Sequence, residues 1–232
     1  MLKIIIAYDN KGRAEFKTGW GFSCIVEAQK KILFDTGCNG VELLFNLKKL
    51  GYVAKDFDIL FLSHQHWDHI GGLFEILEEN KNLKVFALES FSSHLKDEIR
   101  KKAELIEVKE EQEILENVYT TGLIENNLDE QSLILKTEKG LVIITGCSHP
   151  GIVNIIKKAK EMLKENVYLV VGGFHLFALN DLEIEEIVRS FRDLEVEKVA
   201  PCHCTGEKAI SIFKKEYKED FIEAEVGKII EV

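Results

Sequence analysis

SHQHWDHIGG, residues 63–72, places three histidines and one aspartate within six positions, directly after the apolar run DILFL at 58–62. The whole chain has only seven histidines in 232 residues. A lone histidine is ordinarily a hydrogen-bonded ring. A packed core has no use for four adjacent polar side chains, whereas imidazole nitrogens and carboxylate oxygens are the ligands that a borderline cation such as zinc takes. With this composition, a His-x-His-x-Asp-His pattern arises by chance in roughly 3 of 10,000 chains of this length. The apolar run reads as a buried strand. Alternation sends His64 and His66 to one side, and Asp68 and His69 follow after the turn. The spacing suits two cations, one served from the strand end and the other from the turn.

Outward from this loop, strand and helix patterns alternate. β-Branched runs occur at IIIAY, CIVEA, KILFD, DILFLS, KVFAL, SLILKT, LVIITG, VYLVVGG and EKVAP, and amphipathic helical stretches at 41–50, 70–79, 151–163, 182–193 and 206–216. QSLILKTEKGLVIITG reads as a hairpin. Residues 96–116, rich in charge, read as a solvated helix and loop. No Pro/Gly/Ser-rich linker divides the chain, so residues 1–232 are expected to form a single domain. An internal repeat lies at an offset of 109 residues, with Thr36-Gly37-Cys38 on Thr145-Gly146-Cys147 and His66 on His175. A strand–loop–helix–strand unit used twice suggests two βα halves.

The remaining histidines reinforce the reading. His149 lies in TGCSHPG, His175 in VVGGFHL and His203 in APCHCTG, so six of the seven follow strand ends. Such loops are where sheet proteins build sites. Both prolines, Pro150 and Pro201, lie within two residues of one of these histidines, and Pro150 suits a first helical position. Asp181 reads as the N-cap of helix 182–193. Trp67 reads as a packing anchor, with a stack on the substrate as the alternative. A Cys-x-Cys pair can hold metal, but alternation puts Cys202 and Cys204 on the face opposite His203, where they read as packed thiols, and Cys147 is open between packing and the site.

Composition bounds the function. A net charge of −10 disfavours nucleic acid held by bulk charge. No apolar run approaches the roughly 18 residues that span a bilayer. Five cysteines without a staple-like spacing read as reduced thiols, hence a cytoplasmic protein.

Together, FDTG with Asp35, the His64–His69 loop, His149 and His203 resemble the motif series of the metallo-β-lactamase superfamily along nearly the whole chain. TGCSHPG, GGFHL and PCHCTG resemble its dihydropterin-ribofuranosylaminobenzene-phosphate synthase-like branch. The resemblance implies an α+β fold, an αββα sandwich of two βα halves. It implies one metal held by His64, His66 and His149 and a second held by Asp68, His69 and His203, with Asp35 orienting a ligand ring from behind. Zinc is the cation implied, with manganese as the alternative, since the acid that di-iron relatives carry is here Gln65. The sequence departs from the pattern where many members have a metal-bridging Asp: VGGFHLF offers His175 instead, which reads as a substrate contact, with metal ligation as the open alternative. The implied activity is metal-dependent, on a small anionic substrate such as a phosphate or diphosphate ester. It proceeds by hydrolysis or by diphosphate displacement, with Asp68 accepting a proton and His175 steadying negative charge. An RNA-processing enzyme on the same fold and a non-catalytic metal-binding or sensing module stay open beside it. The oligomeric state is not legible.

Overall fold

The computed structural model describes residues 2–232, which divide into two units: residues up to 109 together with 225–232, and residues 110–224. In the first unit β1 (Lys3–Tyr8), β2 (Ser23–Glu27) and β3 (Lys31–Phe34) pair antiparallel. Helix α1 (Gly40–Lys49) then crosses to β4 (Ile59–Phe61), which runs parallel to β3. Asn39 starts α1 by accepting from the Val41 and Glu42 amides, and the helix buries Leu43 and Leu47. Two short helices, α2 (Trp67–Ile70) and α3 (Leu73–Glu79), lead to β5 (Lys84–Leu88). Helix α4 (Ser93–Arg100) leads to β6 (Glu104–Val108). The strands β3 to β6 are parallel, and β3, β4 and β5 are almost wholly buried, as near-continuous apolar runs require.

In the second unit β7 (Gln112–Leu115), β8 (Val118–Thr120), β9 (Leu133–Thr137) and β10 (Gly140–Thr145) form an antiparallel meander. Helix α5 (Ile152–Leu163) crosses to β11 (Val167–Gly173), and α6 (Asp181–Asp193) to β12 (Lys198–Cys202). β10, β11 and β12 are parallel. Helix α7 (Glu207–Tyr217) follows a 3-10 turn at 203–205. The core of this unit gathers Ile143, Ile155 and Val170 around Phe174, Phe191 and Phe213, whose ring centroids lie 5.1–5.5 Å apart. The last strand, β13 (Ile229–Glu231), belongs to the first unit and pairs antiparallel with β1.

The chain is thus a mixed fold of two sheets, ordered β13-β1-β2-β3-β4-β5-β6 and β12-β11-β10-β9-β8-β7. The expected repeat falls on corresponding elements: β3–α1–β4 in one sheet and β10–α5–β11 in the other, each a parallel pair joined by a helix.

Several expectations need correction. Residues 96–116 hold the end of α4 and two strands, β6 and β7, rather than a solvated helix and loop. Both strands are sheet edges, where exposed faces carry charge and hide the strand signal. The helix expected at 70–79 is broken at Gly71-Gly72. A Cβ at Gly71 would come within 2.4 Å of the Cys38 carbonyl oxygen, and one at Gly72 within 2.6 Å of that of Thr36. Pro150 stays outside α5, which Gly151 caps at φ +91°. Asn180, not Asp181, caps α6, through a capping box with Glu183.

Candidate metal centre

The ligand loops of both units lie at the carboxyl ends of parallel strands, where the chain leaves the sheet and side chains can converge. In the first unit the organising group is Asp35. It is fully buried just beyond β3 in a left-handed conformation, φ +52°, which costs about 1–3 kcal/mol in a non-glycine residue. Its amide donates to the Phe61 carbonyl at 2.8 Å, and the Ser23 hydroxyl donates to its own carbonyl at 2.8 Å. The carboxylate receives the Ser63 amide on Oδ1 at 2.7 Å, and on Oδ2 the Ser63 hydroxyl at 2.6 Å and His69 Nδ1 at 2.7 Å.

These contacts assign the tautomers. A carboxylate only accepts, so His69 carries its proton on Nδ1 and turns the Nε2 lone pair outward. Ser63 has a single hydroxyl proton and gives it to Asp35. The Ser63 oxygen therefore accepts from His64 Nδ1, 2.9 Å away, and His64 too keeps its lone pair on Nε2. His69 Nε2 lies 3.6 Å from Asp68 Oδ2. The His64 ring centroid is 4.9 Å from that of His66 and 4.2 Å from that of His69. The rings are held from behind, as metal-ligating histidines are, and Thr36 fixes the turn by donating its amide and hydroxyl to the His69 carbonyl at 2.7 and 3.0 Å. Trp67 is 61% exposed and anchors no packing, a correction that follows from its place in the first turn of α2, on the outward side of the loop.

In the second unit the organising group is Glu130, fully buried before β9. Oε1 accepts the amides of Gly146, Cys147 and Ser148 at 2.9–3.1 Å and the Thr145 hydroxyl at 3.1 Å, and Oε2 accepts the His149 amide at 2.8 Å. One carboxylate thus grips the whole TGCSH loop. The Asn126 side chain donates to the His149 carbonyl, and the His149 and His175 ring centroids are 4.4 Å apart. His203 Nε2 lies 3.3 Å from Cys147 Sγ. Ser148, His175 and His203 all have positive φ, +63°, +55° and +49°. Gly173 lets these loops close: a Cβ there would come within 2.5 Å of the Gly146 carbonyl oxygen and 2.6 Å of Cys204 Sγ.

Cys202 and Cys204 are both buried, but Cys204 does not face away from the histidines. Its thiol lies with those of Cys147 and the His175 ring, ligand atoms within 4.8 Å of one another. Strand alternation fails here because the chain turns into a 3-10 helix at His203. Burial alone would push the Cys204 thiol up, but hydrogen bonds with Cys147 and His175, and the neighbouring His203, hold it well below the ordinary thiol range. Asp181 begins α6 and pairs with Lys208 at 3.2 Å on the surface.

Within the first unit, then, Asp35, His64, His66, Asp68 and His69 lie together, and within the second His149, His175 and His203 lie together with Cys147 and Cys204. Imidazole-rich donors with one carboxylate suit a zinc-class cation. Ser63 and Glu130 escaped the sequence reading. Ser63 had a faint signal, a hydroxyl between an apolar strand and the first ligand. Glu130 had none, being one acid among several in a polar stretch.

Residues 23–157 match the model of the metallo-β-lactamase superfamily. Over 97% of the chain it is 36% identical to the 7,8-dihydropterin-6-methyl-4-(β-D-ribofuranosyl)-aminobenzene-5'-phosphate synthase of Methanocaldococcus jannaschii, covering 94% of that protein. A crystal structure of a metal-dependent hydrolase of the β-lactamase superfamily is similar over 100% of the chain and 99% of its own, with 35% identity and a TM-score of 0.85. The metallo-β-lactamase fold protein YhfI from Bacillus subtilis, 15% identical with both chains fully covered and a TM-score of 0.72, shares the fold. By sequence and by fold, this chain belongs to the metallo-β-lactamase superfamily.

Proposed function

We propose that the protein is a binuclear metal-dependent enzyme that displaces diphosphate from a small, anionic, pterin-like substrate. One cation would be held by His64, His66 and His149, and the other by Asp68, His69 and His203. The observation that carries the reading is the Asp35–Ser63 relay, which leaves Nε2 of both His64 and His69 as the ligating nitrogen. The substrate class rests on the whole-length likeness to a synthase whose product bears a dihydropterin and a phosphate.

When bound, two zinc-class cations supply positive charge that steadies a departing diphosphate and acidifies water. The chain's own groups do the rest. Asp68 would help to hold a cation, and its carboxylate takes up the proton lost by the attacking amino nitrogen. In that step a carbon–nitrogen bond forms at the pterin methylene and the methylene's bond to the diphosphate oxygen breaks. His175, exposed at the end of β11, donates an N–H to a phosphate oxygen. The chain has His175 where many members have a bridging acid. A neutral imidazole has one lone pair to offer, so the second cation would be held less tightly than the first.

Diphosphate release from a dihydropterin-methyl diphosphate, measured with and without an aminobenzene riboside phosphate, tests this. Release only with the acceptor supports transfer. Release without it makes the protein a hydrolase, the activity named for the 35% identical crystal structure. No release in either, from protein carrying two cations, sinks the reading. Asp68→Asn is expected to abolish turnover while leaving the far-ultraviolet circular dichroism unchanged.

A further inference from the structure

We propose that Cys147, Cys204 and His175 form a third cation site, a Cys₂His set for a thiophilic ion of the zinc class, lying wholly within residues 110–224. The six ligands assigned above include none of these three side chains.

Their ligand atoms already lie within 4.8 Å of one another. A tetrahedral zinc with ligand bonds of about 2.0–2.3 Å sets its donors about 3.3–3.8 Å apart. Small side-chain rotations therefore suffice. Two thiolates and one imidazole with an open fourth position is an established zinc coordination. On binding, the two thiol protons pass to solvent.

The fold invests in bringing the three together. They come from the ends of three adjacent parallel strands, β10, β11 and β12. Each loop is fixed by contacts other than packing of the sulfurs: Glu130 grips the Cys147 amide at 2.9 Å, and the Thr205 hydroxyl accepts the Phe174 amide at 3.0 Å. Cys204 Sγ also reaches the Cys147 carbonyl at 3.6 Å. A side chain at Gly173 would occupy the space Cys204 Sγ takes. Both sulfurs are buried while the His175 ring is exposed, so an ion would meet solvent and substrate on the imidazole side only. His175 could ligate through one nitrogen and still present the other as a donor, which keeps its proposed contact with substrate.

The test uses the full chain, reduced and stripped of metal, then titrated with cobalt(II). Thiolate ligation gives an intense sulfur-to-cobalt charge-transfer absorption in the near ultraviolet, which nitrogen and oxygen ligands do not. We expect this absorption in the unaltered protein, its loss in Cys147→Ser and in Cys204→Ser, and its retention in Cys24→Ser and in His64→Ala. If a serine variant fails to fold, zinc X-ray absorption of the unaltered protein gives the same answer through sulfur scattering at about 2.3 Å. Absence of any sulfur signal from metal-loaded protein overturns the proposal. So does a signal lost with Cys147 but kept in Cys204→Ser, which would mean that Cys147 serves the cation at His203 instead. Loss of the signal in His64→Ala would also overturn it, since the site would then depend on the other set.

Discussion

The two βαβ units, β3–α1–β4 and β10–α5–β11, carry the same kind of chain but fix their ligand loops differently. In the first, the Asp35 carboxylate reaches side chains, the Ser63 hydroxyl and the His69 ring. It sets proton positions. In the second, the Glu130 carboxylate reaches backbone, the amides of residues 146–149. It sets the path of the chain. At the repeat's offset, Ser63 and His64 fall on Gly172 and Gly173. The second unit has no room for a ring there, because β11 continues to residue 173 and the next loop closes over it. Cys38 and Cys147 also correspond, yet Cys38 meets the Tyr8 hydroxyl at 3.1 Å while Cys147 meets His203. One unit keeps the tautomer fixed and the other keeps the loop fixed, so damage to each should show in a different measurement.

The largest effect is expected at Glu130. Glu130→Leu keeps much of the volume but removes both acceptor oxygens from the backbone N–H groups of residues 146–149. Leaving several buried donors unmet should cost about 3–5 kcal/mol, read as a lower denaturant midpoint. A loss below about 1 kcal/mol would mean that the loop keeps its path without the carboxylate, and the contrast between the units would fail. Asp35→Asn should act on the metal more than on the fold. It can still accept from Ser63 but no longer holds His69 by charge, so cation affinity should fall about 10–100-fold, measured by competition with a chelator. An unchanged affinity would remove the role of the relay.

Much of this was legible beforehand. Helices α1, α5, α6 and α7 were expected to within one residue at each end, because each has a full apolar stripe and a clear stop. The 63–72 loop was visible because histidine is rare here and its clustering has no packing explanation. The edge strands β6 and β7 were not, since half of each faces solvent and reads as loop. Nor were Glu130 and the true neighbours of Cys204. Both depend on the meeting of loops distant in sequence, and Cys204 on a positive φ at His203 that no local pattern announces.

Gly173→Ala sharpens the comparison at an intermediate scale. Its Cβ would press on the Gly146 carbonyl and the Cys204 sulfur, and such overpacking costs about 1–3 kcal/mol. Ser63→Gly, which gives the first unit the glycine that the second has at the corresponding place, should instead act through His64. It removes the acceptor for Nδ1–H, and the loss should appear in metal affinity ahead of stability.

The smallest effect is expected at Trp67, and it bears on what each unit shows to solvent. Trp67 stands exposed beside His66, and Phe177, 55% exposed, lies 5.3 Å from the His175 ring. A buried anchor truncated to alanine costs about 3–5 kcal/mol. Trp67→Ala should change stability by less than about 0.5 kcal/mol, as surface substitutions do. If the unfolding midpoint instead falls by several kcal/mol, the ring packs in solution. If stability holds while KM rises, the ring is there for the substrate, and Phe177→Ala should repeat the pattern from the second unit.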